Sequence, residues 1–336
     1  MPAMDHSLSE QERRVWNVQA VQHLGGQAYL QHNVLALNAL QRYLVGAEDA
    51  AACYAAACSH HLEASRIFRQ TTSTINDKNW LGAYILCTSV IMFHFAVSQV
   101  AAHPHTFEPV EPHDFLETFF VLRQSSLLGA QLRYFFQGPL QGMIKQRLDK
   151  FEVKPNVTVD QAVSDLCSAV DELKDIDGTK STLTTTATAL QGWVHTTNGM
   201  PRSWVHIIWW PAAVGQDYIN LLEQHHPFAV VIFIYWCTIL SRAPSRWYME
   251  GWAARTVLAA LKCLPSELDA LVQWPREILE LDKADQPLAL RQLTSSPDVK
   301  IKAEVLDEVQ KYFALRSAST EALDKASKEW RKHTEF

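Results

Sequence analysis

The chain has 336 residues, a formal net charge of −6, 20% charged residues and 12 glycines. That length holds one large domain or two coupled ones, and the acidic balance excludes non-specific nucleic-acid binding, which needs a basic footprint. Glycine stands at about half its usual ~7%, and no GxGxxG or GxxxxGK[ST] stretch occurs, so Rossmann and P-loop phosphate cradles lose the bare backbone they require.

The N-terminal stretch, residues 1–14, is polar with no hydrophobic run, so it is not a secretory signal. Helices follow in series. "SEQERRVWNVQAVQHL" opens with Ser9 and Glu12 at capping-box spacing. "QAYLQHNVLALNALQRYL" sets Leu30, Val34, Leu37 and Leu44 at helical intervals. An Ala-rich helix starts after Asp49, expected as its cap, and runs through "SHHLEASRIFR". "NDKNWLGAYILCTSVIMFHFAVSQV" is apolar nearly all round, which predicts a buried central helix capped by Asn76 or Asp77.

A break with three prolines follows, "HPHTFEPVEPHD". "DFLETFFVLRQSSLLGAQLRYFFQ" then runs to a Gly138-Pro139 stop. Next come "VDQAVSDLCSAVDELKDI", closed by Asp177-Gly178, and a Thr-rich helix ending at Asn198-Gly199. The C-terminal third holds "HIIWWPAAVGQDYINLLEQ", "HPFAVVIFIYWCTIL", "SRWYMEGWAARTVLAALKCL" and "WPREIL". The apolar run from Phe228 to Leu240 falls short of the roughly 20 residues a bilayer demands, and Arg242 and Arg246 follow it. It must therefore be buried, and no membrane span is expected. The last residues, 283–336, form a charged amphipathic tail with a Val305, Val309 and Phe313 stripe. No alternating strand pattern occurs, so the expected class is all-α: a multi-helix, bundle-like ligand-pocket domain over 15–282 with the tail packed on it.

Six cysteines form no CxxC pair and read as buried free thiols in a reducing compartment. A cytoplasmic location follows as the expectation. The sequon at Asn156 is then not expected to be glycosylated.

The segments "YLQHNVLALNAL", "SHHLEASRIFR", "INDKNWLGAYILCTSVIMFHFA", "FFVLRQSSLLGAQL", "HPFAVVIFIYWCTIL", "RWYMEGWAARTVLAAL" and "WPREIL" stand in this order between about residue 10 and residue 282. In that order the chain resembles the C-terminal fungal-specific regulatory domain of Zn(II)2Cys6 transcription regulators, nearest the sterol uptake control type. The resemblance implies an all-helical domain, often a homodimer, with a hydrophobic pocket in which a sterol can bind. The six-cysteine zinc cluster of that family is missing near this N-terminus, which argues against direct transcriptional activity.

Four groups of residues carry candidate chemistry. Trp204, Trp209, Trp210, Tyr235, Trp236, Trp247, Tyr248 and Trp252 are large flat side chains able to wall a cavity for a rigid apolar ligand. Plain core packing is the competing explanation. Tyr235 and Trp236 point about 100° apart on a helix, so one should pack in the core and the other face the cavity, with Trp209 or Trp210 opposite. Phe93 joins this ligand-binding set. His94, His206, His225 and His226 could act as acid–base groups, although a hydrogen-bonded core histidine is the plainer role for His94, and His226 before Pro227 suits a turn. Arg123 and Arg133 could orient a carboxylate or polarise a carbonyl, against simple salt bridging to a neighbouring helix. His103, His105, His113 and Asp114 lie together, but on a proline-stiffened loop without helical ligand spacing, so no metal is expected.

The catalytic candidates are thus His94, Arg123 and His206. The ligand-binding candidates are Phe93, Arg133, Trp209, Trp210, Tyr235, Trp236 and Trp247. No nucleophile–base order, ionising metal box or redox fingerprint occurs in the sequence. The expectation is a cofactor-free protein that folds an apolar terpenoid or polyketide intermediate of secondary metabolism for Diels–Alder-type ring closure. The alternative is a ligand-sensing regulatory domain acting through a partner, which would be nuclear; a pure carrier fits the same residues.

Overall fold

The computed structural model describes residues 26–46, 49–100, 115–132, 156–175, 178–202 and 204–281. These form α1 (Ala28–Leu44), α2 (Ala50–Thr71), α3 (Trp80–Val100), α4 (Glu117–Leu132), α5 (Val157–Asp171), α6 (Lys180–Thr197), α7 (Trp204–Ala213), α8 (Gln216–Glu223), α9 (Pro227–Leu240), α10 (Trp252–Leu261) and α11 (Gln273–Ile278). Two 3₁₀ segments, Trp247–Met249 and Ser266–Val272, flank α10. No strand occurs among the described residues, and the class is all-α. The Ser9–Glu12 box, the His103–Asp114 loop, the Gly138-Pro139 stop, Arg133 and the 283–336 tail lie outside the described residues.

The helices follow from the spacing of apolar side chains. On α1 the buried face is Leu30, Asn33, Leu37 and Leu40, a stripe that seats it along α2 and α3. Gly82 of α3 lets α1 come this close, because a Cβ there would collide with the Tyr29 hydroxyl. The helix starts differ in detail from expectation. Asp49 precedes α2, but its carboxylate makes no cap bond; it accepts instead from Arg42 at 2.9 Å and from the Cys53 thiol at 3.4 Å. The charge pair outcompetes the cap. Asn76 closes a turn through the Lys78 N–H, and α3 begins only at Trp80. Asn156 caps α5 by accepting from the Val159 N–H at 3.2 Å, so the sequon doubles as a helix start. That helix ends at Asp171, ahead of the predicted Asp177-Gly178 stop.

α3 is apolar on every side and buried from Leu81 to Val97 with few interruptions. By length and hydropathy alone it could cross a membrane, yet 83% of its most apolar window is buried inside the fold, the place of a core helix. No other described helix meets the same test. α9 is a second fully buried helix, with Ala229 through Leu240 all buried, and it touches α5, α6, α8, α10 and α11. His226 and Pro227 start it, with proline in the first turn, where its missing N–H costs nothing. None of the six cysteines is in a disulfide, and four of them are buried.

Candidate functional site

α7 carries Trp209 and Trp210, and it is held at both ends by groups far away in sequence. At its C-terminal end the Arg123 guanidinium of α4 donates through one nitrogen to the Pro211 carbonyl at 2.7 Å and to the Val214 carbonyl at 2.6 Å. These are the orphan acceptors that a helix terminus leaves, and a buried cation suits the negative end of its dipole. At the other end, Arg242 donates to the Gly199 carbonyl at 3.0 Å and Arg246 to the Arg202 carbonyl at 2.9 Å. The polar break after the apolar run of α9 therefore pins the loop that enters α7.

His206 belongs to this anchoring. Its ring Nδ1 accepts from the Arg202 backbone N–H at 3.2 Å, and its carbonyl accepts from the Trp193 indole at 2.7 Å. Burial, aided by the Arg202 charge, lowers the imidazole to about 4, so the ring is a neutral acceptor. Arg123 and His206, two of the expected catalytic groups, both contact backbone atoms that frame α7.

Between α4, α7 and α9 lies an aromatic layer. The Trp210 and Trp236 indoles are stacked with centroids 5.4 Å apart, and Phe119 packs edge-on to Trp236 at 5.3 Å. Phe233 lies 5.9 Å and Trp252 6.0 Å from Trp236. Both indole N–H groups are buried and have no hydrogen-bond partner among the described residues.

Tyr235 turns away from this layer. Its hydroxyl donates to the Leu271 carbonyl at 2.9 Å and its ring packs on Trp274 at 5.2 Å. Burial pushes the phenol up to about 12. Trp209 is half-buried on the same helix as Trp210, and Trp247 sits edge-on to Tyr248 at 5.6 Å. The structure thus brings Trp210 and Trp236 together, and does not bring Tyr235 or Trp247 to them.

A polar cluster joins α2, α3 and α4. His61 of α2 is fully buried and stacked on Phe93, with centroids 4.0 Å apart and planes within 5°. His94 meets it edge-on at 5.8 Å. The Nδ1 of His94 lies 3.6 Å from Oε1 of Glu117, in the first turn of α4. The Nε2 of His94 and both nitrogens of His61 are buried without a hydrogen-bond partner among the described residues. Burial, with His94 adding to it, holds His61 well below the ordinary imidazole value, so it stays neutral. Sequence reasoning passed over His61 and Glu117. Their signals were faint: a histidine on the inward stripe of an Ala-rich helix, and one acid inside the apolar "FLETFFVL".

Among the described residues, no group of three or more His, Cys, Asp or Glu is arranged to hold a metal ion. Comparison with protein-family models, with curated proteins and with solved structures finds no match to this chain.

Proposed function

We propose that the protein binds an apolar small molecule bearing a hydrogen-bond acceptor against the Trp210–Trp236 layer, and that confinement there promotes a cofactor-free ring closure of that molecule. The observation that carries this reading is the pair of unpartnered indole N–H groups inside the core. A buried donor left unpaired costs about 1–3 kcal/mol, and native cores contain few of them. A ligand carbonyl would satisfy such a donor and be polarised by it. Rigid aromatic walls would hold one folded conformer of a flexible chain, the contribution a unimolecular ring closure draws on most. The resemblance to sterol-binding regulatory domains points to the same class of ligand.

The test is binding of a steroid ketone and of its carbonyl-free hydrocarbon counterpart, followed by quenching of indole emission. Trp210→Phe and Trp236→Phe keep an aromatic ring and delete the N–H. The ketone should lose about tenfold in affinity in these variants, the worth of one ~1.4 kcal/mol hydrogen bond, while the hydrocarbon is unaffected. Equal losses for both ligands, or no binding of either, would count against the reading. Mass spectrometry of small molecules retained from extracts of the host then identifies the natural ligand.

A further inference from the structure

The cluster of His61, His94 and Glu117 has the parts of a proton-transfer site, and Phe95, next to His94 on α3, packs edge-on to Trp252 at 4.9 Å, which in turn lies 6.0 Å from Trp236. Phe93, on which His61 is stacked, and Phe119, two residues beyond Glu117, belong to the same continuous apolar core as Trp210 and Trp236. Three imidazole nitrogens face the interior without partners, in a place where desolvation strengthens every polar contact. The side chain of Glu117 is 13% exposed, against 3% for His94, so the cluster runs from the protein's edge into its core.

We infer that His94 is a general base and His61 a carbonyl-polarising donor for an apolar substrate with an enolisable, unsaturated ketone. This deepens the binding reading above and rests on it. Glu117 faces Nδ1 of His94, which favours the tautomer with its proton there and leaves the Nε2 lone pair for the substrate. In the step itself, the C–H bond between the carbonyl and the C=C bond breaks and the proton goes to Nε2 of His94. The electron pair spreads over the dienolate, whose oxygen accepts from a neutral His61 N–H. The proton then returns from Nε2 to the γ-carbon, giving the conjugated ketone with no atoms gained or lost. Glu117 is a positioning residue that also steadies the transient imidazolium. The dienolate is an electron-rich diene, the partner that a ring closure consumes.

The experiment uses the full chain with two probes, a β,γ-unsaturated cyclohexenone and a β,γ-unsaturated steroid ketone. It follows the ultraviolet absorbance of the conjugated isomer and deuterium uptake from D₂O. Wild type should isomerise at least the steroid faster than buffer does. His94→Gln should lower kcat by roughly 100-fold or more, the usual worth of a general base. Glu117→Gln should lower kcat by about tenfold with KM little changed, and Glu117→Asp should restore part of it, a pattern that a merely structural carboxylate would not give. If His94→Gln does not fold, judged by its helical circular dichroism, the Glu117 pair decides. A probe that quenches indole emission but is not isomerised overturns this inference alone, as does isomerisation that survives His94→Gln. Probes that neither quench nor react overturn the binding reading and the inference with it.

Discussion

The indole of Trp210 lies over that of Trp236 with their planes 23° apart, and neither side chain is exposed to solvent. This one stack joins α7 to the most buried helix of the fold. It divides the side-by-side aromatics of α9 into two roles, Trp236 in the shared layer and Tyr235 turned toward Leu271 and Trp274.

Trp236→Ala should destabilise the protein by roughly 3–5 kcal/mol, because the void left in a close-packed layer collapses only in part. Trp236→Phe should cost about 1 kcal/mol, since it keeps a ring and removes an unpaired buried donor. Denaturant unfolding measures both. Equal costs for the two variants would mean that the layer tolerates a hole.

Tyr235→Phe should lose about 1 kcal/mol, the net worth of one buried hydrogen bond, and should leave steroid-ketone binding unchanged. The hydroxyl serves the Leu271 carbonyl rather than the aromatic layer. A variant of full stability with weakened binding would place Tyr235 at the ligand instead.

Arg123→Met should cost roughly 3 kcal/mol, because two carbonyls at the end of α7 lose a charged donor in the core. Arg123→Lys should recover part of this, since one nitrogen serves both carbonyls and an ammonium carries three donors, though on a shorter side chain. Hydrogen exchange should quicken in α7 before the rest of the fold. A stable variant with lost turnover and normal exchange would instead support the catalytic role expected for Arg123.

Stability should fall as the solution is acidified. His206 is lowered from 6.5 to about 4 in the folded chain. Between those values the unfolded chain takes up a proton that the folded one refuses, so unfolding gains as pH drops through that window. The full effect is roughly 3 kcal/mol at 1.36 kcal/mol per unit. His61, lowered mainly by its burial, acts in the same direction. His206→Asn keeps an acceptor for the Arg202 N–H and does not titrate. Its melting temperature should therefore fall less between neutral pH and about pH 4 than that of wild type.

Much of the architecture was legible along the chain. The 3.6-residue period of α1, the all-round apolarity of α3 and α9, the His226–Pro227 start and the left-handed Asn198 end of α6 (φ 50°) are local features. Each acts within a few residues, so each can be read without knowing the fold. The candidate site was legible only in outline. Trp210, Trp236, Phe93 and His94 were picked out by type and apolar context, whereas His61 and Glu117 carried no comparable mark.

What the sequence determined by itself is thus an all-helical class, two helices that must be buried and a set of large aromatic side chains in the C-terminal third. Only tertiary packing decided which groups meet. Arg123 could have been spent on a carboxylate alone, but the fold sets the end of α7 against it and two carbonyls, of Pro211 and Val214, take its guanidinium. Tyr235 and Trp236 are adjacent in sequence, yet the helix turn sends one to Leu271 and the other to Trp210. His94 meets Glu117 because α3 and α4 lie side by side. Helical period is a property of the backbone and its nearest neighbours, while a side chain's partner depends on which helix arrives opposite it, and that is settled by close packing of the whole core.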